Sequence, residues 1–103
     1  MIHCTQCGRE INLDYLKGYV PSISGGIMGD EYIESYYKCV TCDVYTIEVV
    51  HDRFLGEESV SFRGPISKSE AEAKIALIRQ CPDPGNKKCR CDAHRAYFGT
   101  WLD

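Results

Sequence analysis

Two pairs of cysteines with the same internal spacing are the residues of this chain best suited to chemistry. Cys4 and Cys7 form one C-x-x-C pair, and Cys39 and Cys42 form a second. Zinc takes four tetrahedral ligands and binds thiolate sulfur tightly, and a C-x-x-C turn can direct two sulfurs at one ion. The two pairs together therefore predict one site with four cysteine ligands.

A second group of ligand-type residues lies near the C-terminus. Cys81 is followed by a loop containing proline and glycine, which can return the chain to Cys89, and Cys91 and His94 complete the pattern Cys-x-Cys-x-x-His. Three cysteines and one histidine form an accepted structural zinc set. Because the chain has 7 cysteines, this assignment leaves none over. We therefore expect two zinc ions, one at each cluster.

Other uses of these residues are open at the level of the sequence. Cys81 and Cys89 could form a disulfide, which would leave Cys91 without a partner. His3, next to the first cysteine, could compete as a ligand, whereas His51 at a strand end is typical of a packed or surface residue. Iron is the alternative metal at the four-cysteine site.

The composition limits the class of protein. A chain of 103 residues favours a single domain with a modest core, and a formal net charge of -3 argues against strong non-specific binding to nucleic acid. Many cysteines in so short a chain are typical of a secreted disulfide scaffold or a metal-binding domain. No secretory signal is visible at the start, and no apolar run reaches the length of a membrane helix. We therefore expect a cytoplasmic protein without membrane contact.

The middle of the chain predicts an antiparallel sheet. Alternating and β-branched residues indicate strands over 31–39, 44–51 and 59–63. In the second of these strands, the more apolar face carries Tyr45 and Ile47. These strands, joined by short turns, predict a meander.

The flanks of this sheet are less regular. A short strand is expected over 11–15, where apolar residues alternate, although one helical turn fits the same residues. Glycine and serine residues over 21–30 predict a loop at a hairpin tip. The segment lacks the lysine pattern of a phosphate-binding loop, so that interpretation is not favoured. Gly64-Pro65 is expected to end the sheet.

One helix follows the sheet. Ser67 and Glu70 match a capping box, and good helix formers continue from 68 to about 80, where Cys81-Pro82 ends the helix. Its predicted apolar face consists of Ala71, Ile75, Leu77 and Ile78.

The order C-x-x-C-Gly, strand, second C-x-x-C, strand over residues 1–63 resembles the zinc-ribbon or rubredoxin-like group. The resemblance implies a small antiparallel sheet held by four cysteine ligands at the two pairs already named. The resemblance predicts a fold more reliably than a function, because proteins with many unrelated functions share this motif. The chain has Val40 and Asp43 where the rubredoxin pattern has proline and glycine, which weighs against an iron site.

The predicted fold is therefore α+β, in one domain with three parts. A zinc-ribbon-like sheet of three or four strands spans 1–63, a helix spans 67–81, and a second metal-binding cluster with an aromatic tail spans 81–103. The tail is expected to pack over the second cluster or the sheet, and its apolar residues are Tyr97, Phe98, Trp101 and Leu102.

The favoured function is a non-enzymatic protein-interaction module with two structural zinc sites. No catalytic residue is predicted, because the chain has neither an H-E-x-x-H zinc motif nor a serine nucleophile elbow. One alternative is an iron or thiol redox protein. Another is a nucleic-acid-binding ribbon, supported by tyrosines able to stack on bases and by a basic cluster. The tyrosines are Tyr32, Tyr36, Tyr37 and Tyr45, and the basic cluster consists of Lys87, Lys88, Arg90 and Arg95.

Overall fold

Four antiparallel strands form one sheet, which is followed by two helices. The computed structural model describes residues 2–16, 18–53, 55–99 and 102. The strands lie in the order β1-β2-β3-β4, so each pairs with its neighbour in sequence. The elements are a 3-10 helix (Asp14–Leu16), β1 (Ser22–Ile27), β2 (Asp30–Cys39), β3 (Val44–Asp52), β4 (Glu58–Ser67), α1 (Lys68–Gln80) and α2 (Asp92–Phe98). The expected α+β class with a sheet of three or four strands is confirmed, but the sequence predicts one helix and a C-terminal loop, whereas α2 is a second, short helix. Neither helix is long and apolar enough to cross a membrane.

The sheet has two chemically distinct faces, because side chains alternate along each strand. Tyr36, Ile47 and Val49 pack against α1 and α2, and we call this side the helix face. Tyr37 and Cys39 pack against the N-terminal segment on the opposite side, which we call the ribbon face. The more apolar side of β3 predicted from the sequence is thus the side that forms the main core.

Helix α1 begins where the sequence indicates. The Ser67 hydroxyl accepts a hydrogen bond from the Glu70 backbone N–H at 3.3 Å, which satisfies one donor of the first turn and is worth about 1 kcal/mol. Ala71, Ile75 and Ile78 are buried against the sheet. The helix ends at Gln80, and the N–H of Cys81 bonds back to the carbonyls of the last turn.

Strand β1 lies where a loop was expected, so that prediction is wrong. Glycine is depleted in strands, which is why the sequence indicated a hairpin tip. Here Gly25 lies directly beneath the ring of Phe98, and a Cβ at this position would stand 2.7 Å from the ring carbons. Glycine in a strand often marks such a close approach. The contact comes from a residue far along the chain, so local sequence could not reveal it.

Two further expectations are corrected. Residues 11–15 form no strand; the Asn12 side chain accepts a hydrogen bond from the Asp14 N–H at 2.9 Å, and a 3-10 turn follows, which agrees with the helical turn that was the alternative. This local hydrogen bond competes with strand geometry. The sheet also does not end at Gly64-Pro65, because β4 continues to Ser67. Those two residues oppose a single position of β3, between Tyr45 and Ile47, as a bulge.

The helices cover only part of the helix face. Beside them lies an open cavity of about 820 Å³, lined by apolar side chains of β2 and β3 and by α1 and α2. Its floor holds a polar chain: Tyr36 and Tyr97 hydroxyls lie 2.6 Å apart, and Tyr97 donates to Glu34 at 2.5 Å. Glu34 also pairs with Arg63. Burial, and then the Glu34 charge, raises the pKa of Tyr97, so its hydroxyl stays a donor at neutral pH.

The contact between Gly25 and Phe98 gives a stability prediction. Gly25→Ala places a methyl group 2.7 Å from the ring and should destabilise the fold by about 1–3 kcal/mol in chemical denaturation. Gly85→Ala is the matched control, because its Cβ would meet no atom of the described residues within 4 Å. Equal stability of Gly25→Ala and Gly85→Ala would contradict the packing of α2 on β1.

Candidate metal centres

The four cysteines of the two C-x-x-C pairs meet at one point. Their sulfurs all lie within 4.8 Å of one another, and the Cys7 and Cys39 sulfurs are 3.9 Å apart. Zinc–sulfur bonds of about 2.3 Å in a tetrahedron place sulfurs about 3.8 Å apart. We call these four residues the N-terminal cluster. Cys4 and Cys39 are buried, whereas Cys7 lies at the surface.

Each pair is shaped by the residue that follows it. Gly8 has a φ of 77° and Asp43 a φ of 57°, both in the left-handed region. The Gly8 N–H bonds to the Cys4 carbonyl at 2.9 Å, and the Asp43 N–H bonds to the Cys39 carbonyl at 2.8 Å. The two turns therefore share one backbone form. Asp43 takes the place that glycine holds in the first turn, and it lies 3.2 Å from the Lys38 ammonium.

A threonine pair fastens the first turn to the sheet. The Thr5 N–H donates to the hydroxyl of the fully buried Thr46 at 3.0 Å, and the two hydroxyls are also 3.0 Å apart. Gly64 makes room for this contact, because a Cβ there would lie 2.5 Å from the Thr5 hydroxyl. The β4 bulge thus lets the first turn reach the ribbon face beside Cys39.

The electrostatics of the N-terminal cluster favour a cation. Burial raises the pKa of the Cys4 thiol, but hydrogen bonds from the Cys7 and Gln6 N–H groups outweigh this and lower the pKa to about 7. The Cys7 side chain, followed by burial, raises the pKa of Cys42 to about 12. The Cys4 thiolate therefore forms easily, whereas ionisation of Cys42 is opposed. A divalent cation removes this conflict, because its charge stabilises every thiolate around it.

The second group of predicted ligands also converges. The Cys81 sulfur lies 3.6 Å from that of Cys89, 3.5 Å from that of Cys91 and 3.3 Å from His94 Nδ1. We call these four residues the C-terminal cluster, and all four donor atoms lie within 4.8 Å of one another. A disulfide needs sulfurs about 2.05 Å apart, so Cys81 and Cys89 are not bonded. The spacing suits a tetrahedral ion.

The start of α2 brings two of these donors together. Cys91 is the N-cap residue, and its sulfur accepts a hydrogen bond from the His94 N–H at 3.4 Å. This hydrogen bond lowers the pKa of the Cys91 thiol, although burial opposes it. The Cys-x-x-His spacing therefore spans the first helical turn, so that both side chains point to one place. Burial raises the pKa of Cys81 to about 12, because a thiolate is less stable than a thiol when it is removed from water.

His94 joins this cluster to the sheet. The imidazole is fully buried, and its Nε2 lies 2.6 Å from the Ser24 carbonyl of β1. A carbonyl only accepts, so Nε2 carries the proton and Nδ1 presents its lone pair to the sulfurs. A hydrogen bond from the ring nitrogen that faces away from the sulfurs fixes the tautomer that a metal requires. The Ser24 N–H also donates to the Pro84 carbonyl at 2.8 Å, which covers the outer edge of β1.

The remaining candidates lie elsewhere. His3 forms a backbone bridge with Glu10 and belongs to neither cluster. His51 stacks on Tyr32, with ring centroids 4.2 Å apart, and bonds to Asp30 at 2.7 Å, so it is a packed residue as expected.

The aromatic and basic groups differ in accessibility. Of the tyrosines proposed to stack on bases, three are buried: Tyr36, Tyr37 and Tyr45. In the basic cluster, Arg90 donates to the carbonyls of Lys87 and Cys89 and so braces its own loop. The aromatic tail packs as expected on the helix face through Tyr97, Phe98 and Leu102, while Trp101 lies outside the described residues.

Comparison of the chain with protein-family models, curated proteins and solved structures found no match. The two clusters are compatible with metal sites of the zinc-ribbon kind, and this rests on their geometry alone. All eight candidate ligands that the sequence indicates are brought together in two sets of four. The sequence did not reveal the Thr5–Thr46 contact or the role of Ser24, because each depends on residues distant in the chain.

The left-handed turn at Asp43 gives a test that separates backbone strain from charge. A residue with a Cβ in this conformation costs about 1–2 kcal/mol relative to glycine. Asp43→Gly should therefore be at least as stable as the parent, because the exposed ion pair with Lys38 is worth only about 0–1 kcal/mol. Asp43→Ala keeps the Cβ, loses the pair and should be less stable by about 1 kcal/mol in chemical denaturation. Equal stability of the two variants would contradict a strained turn.

Proposed function

We propose that this chain is a non-enzymatic interaction module that is held together by two structural zinc ions. The observation that carries the proposal is the convergence of eight donors into two sets of four, each within 4.8 Å. The ligands would be Cys4, Cys7, Cys39 and Cys42 at the first ion, and Cys81, Cys89, Cys91 and His94 at the second.

The donor sets support a structural role over a catalytic one. Catalytic zinc usually keeps one position for water or substrate, whereas four protein donors complete a tetrahedron. Each cluster supplies four. Zinc bound there would stabilise the thiolates and cross-link distant parts of the chain, and it would offer no open position for a reacting group. We accordingly assign no catalytic residue.

The choice of zinc over iron rests on the donor set of the C-terminal cluster, which combines three sulfurs with one imidazole. Sulfur with imidazole, as in the C-terminal cluster, is a common zinc set, and four sulfurs suit either zinc or iron. The fall of the Cys4 pKa to about 7 means that its thiolate is available near neutral pH for either metal. Iron at the N-terminal cluster is therefore the alternative that the metal analysis must separate.

An interaction role is supported by the surfaces that remain open. Most of the aromatic side chains that could form an interface are buried in the core. Apolar side chains remain exposed on the outer strand β4. We propose a protein partner and a cytoplasmic location, which would keep the thiolates reduced. Nucleic acid is a less favoured partner, because the buried tyrosines cannot stack on bases. A titration with single-stranded DNA at low salt separates these two classes of partner.

Metal content is the direct test of the proposed function. Native mass spectrometry of the full chain should show two zinc ions per chain, and the protein should be colourless. Removal of the metal by a chelator should abolish cooperative unfolding, because structural zinc contributes on the order of 10 kcal/mol to small domains of this kind. A folded, cooperative metal-free chain would refute the structural role, and visible absorbance with bound iron would replace zinc at the N-terminal cluster.

Ligand substitutions should show that the two sites hold different parts of the fold. Cys39→Ser should reduce the metal content to one ion and expose amides of the N-terminal segment and the β2–β3 hairpin to hydrogen exchange. Cys91→Ser should also leave one ion, but exposure should centre on α2 and residues 81–91. Val40→Ser is the matched control, since this residue lies inside the second C-x-x-C pair and is 70% exposed. Identical exchange patterns in both cysteine variants would contradict separate sites.

A further inference from the structure

The two edges of the sheet differ in how far they are covered by the rest of the chain. The outer side of β1 is covered where Ser24 bonds to Pro84 and His94. On the other side, β4 is the last strand of the sheet, and every residue of β4 except Ile66 is exposed. A ten-residue outer strand presents backbone N–H and C=O groups that can pair with another strand.

The exposed strand also carries apolar side chains on one side. Val60 is 51% exposed and Phe62 is 47% exposed. The register places Val60 beside Val50, and Val50 beside Ile33, so an apolar row crosses three strands on the ribbon face. The N-terminal segment packs on this face at Tyr37 and Cys39 and leaves the row partly exposed. An apolar patch at an unpaired edge is typical of an interaction surface.

The charge pattern of β4 specifies how such a partner would align. Glu58 is its first residue and Glu57 directly precedes it, while Arg63, which pairs with Glu34 of the same chain, lies towards its end. If two copies paired in parallel, like charges would lie side by side, which destabilises strand pairs. In the antiparallel direction, the acidic start of each copy lies beside the basic end of the other. The charges of this strand therefore favour the antiparallel direction over the parallel one.

We propose that β4 pairs with β4 of a second copy of this chain, in an antiparallel and two-fold symmetric manner centred on Ser61. This centre keeps ribbon face with ribbon face, because opposite residues of an antiparallel pair share one side. Val60 of each copy then lies opposite Phe62 of the other, and the apolar rows of the two sheets become continuous. Pro65, which lacks an N–H, limits the pairing to residues 58–64.

The resulting dimer has a closed symmetry and a small interface. Isologous contacts use the same patch on both copies and end with the dimer. Because only one strand from each chain takes part, the interface belongs to the weak class, with a dissociation constant in the micromolar range or above. The proposal does not depend on which metal the clusters bind, so it can fail while the proposed function stands.

The test uses the metal-loaded full chain in sedimentation velocity over a range of concentrations. The parent should show a concentration-dependent dimer, and Val60→Lys should raise its dissociation constant at least tenfold. Met28→Lys is the matched control, since it adds the same charge at a residue that is 86% exposed and distant in the sheet order. Phe62→Lys repeats the test at the other member of the apolar pair, and metal content and circular dichroism show that each variant is folded.

Hydrogen exchange identifies the contact itself. At high concentration, amides within residues 58–64 of the parent should exchange more slowly, whereas those of β1 should not change. A monomer at all concentrations would overturn the proposal. So would a dimer that both lysine variants leave intact, or one that forms without added protection in β4, which would indicate stacking of the ribbon faces instead of strand pairing.

Discussion

Thiolates within 4.8 Å of one another repel unless a cation lies between them. The cysteine sulfurs of each cluster in this chain lie this close together. The pKa values of the N-terminal cluster show the conflict, with Cys4 lowered to about 7 and Cys42 raised to about 12. A typical domain has a net stability of about 5–15 kcal/mol, and a structural zinc ion contributes on the order of 10 kcal/mol. One occupied site is therefore comparable with the whole stability of the fold.

The two clusters act on different parts of the sheet. The N-terminal cluster draws the first cysteine turn onto the ribbon face, where Thr5 and Thr46 fix it beside the β4 bulge. The C-terminal cluster joins the end of α1, the start of α2 and the edge of β1, because His94 contacts both sulfur and the Ser24 carbonyl. The second site thus also positions Tyr97 and Phe98, which complete the main core.

Most of the fold could be predicted, because the signals were local. The cap at Ser67, the alternation of β2 and β3, and the spacing within each C-x-x-C pair and within residues 81–94 depend on residues close in sequence. Strand β1 could not be predicted, because the glycine at position 25 is explained only by Phe98 of α2. Asp43 follows its C-x-x-C pair as Gly8 does, but its residue type alone does not reveal that it adopts the same left-handed turn. Where a contact between distant residues decides the conformation, local propensity gives the wrong answer.

The position of the second cluster also determines how the sheet can associate. If the β1 edge were open as well as β4, a β1–β4 contact between copies would be possible, and such a head-to-tail contact repeats without closing. The bonds from Ser24 to Pro84 and His94 block this edge through a loop whose shape depends on the C-terminal cluster. Among the described strands, only β4 then remains available, and its charges favour antiparallel pairing with a second copy. If β4 pairs as proposed, the same residues that would bind the second metal also restrict association to a closed pair.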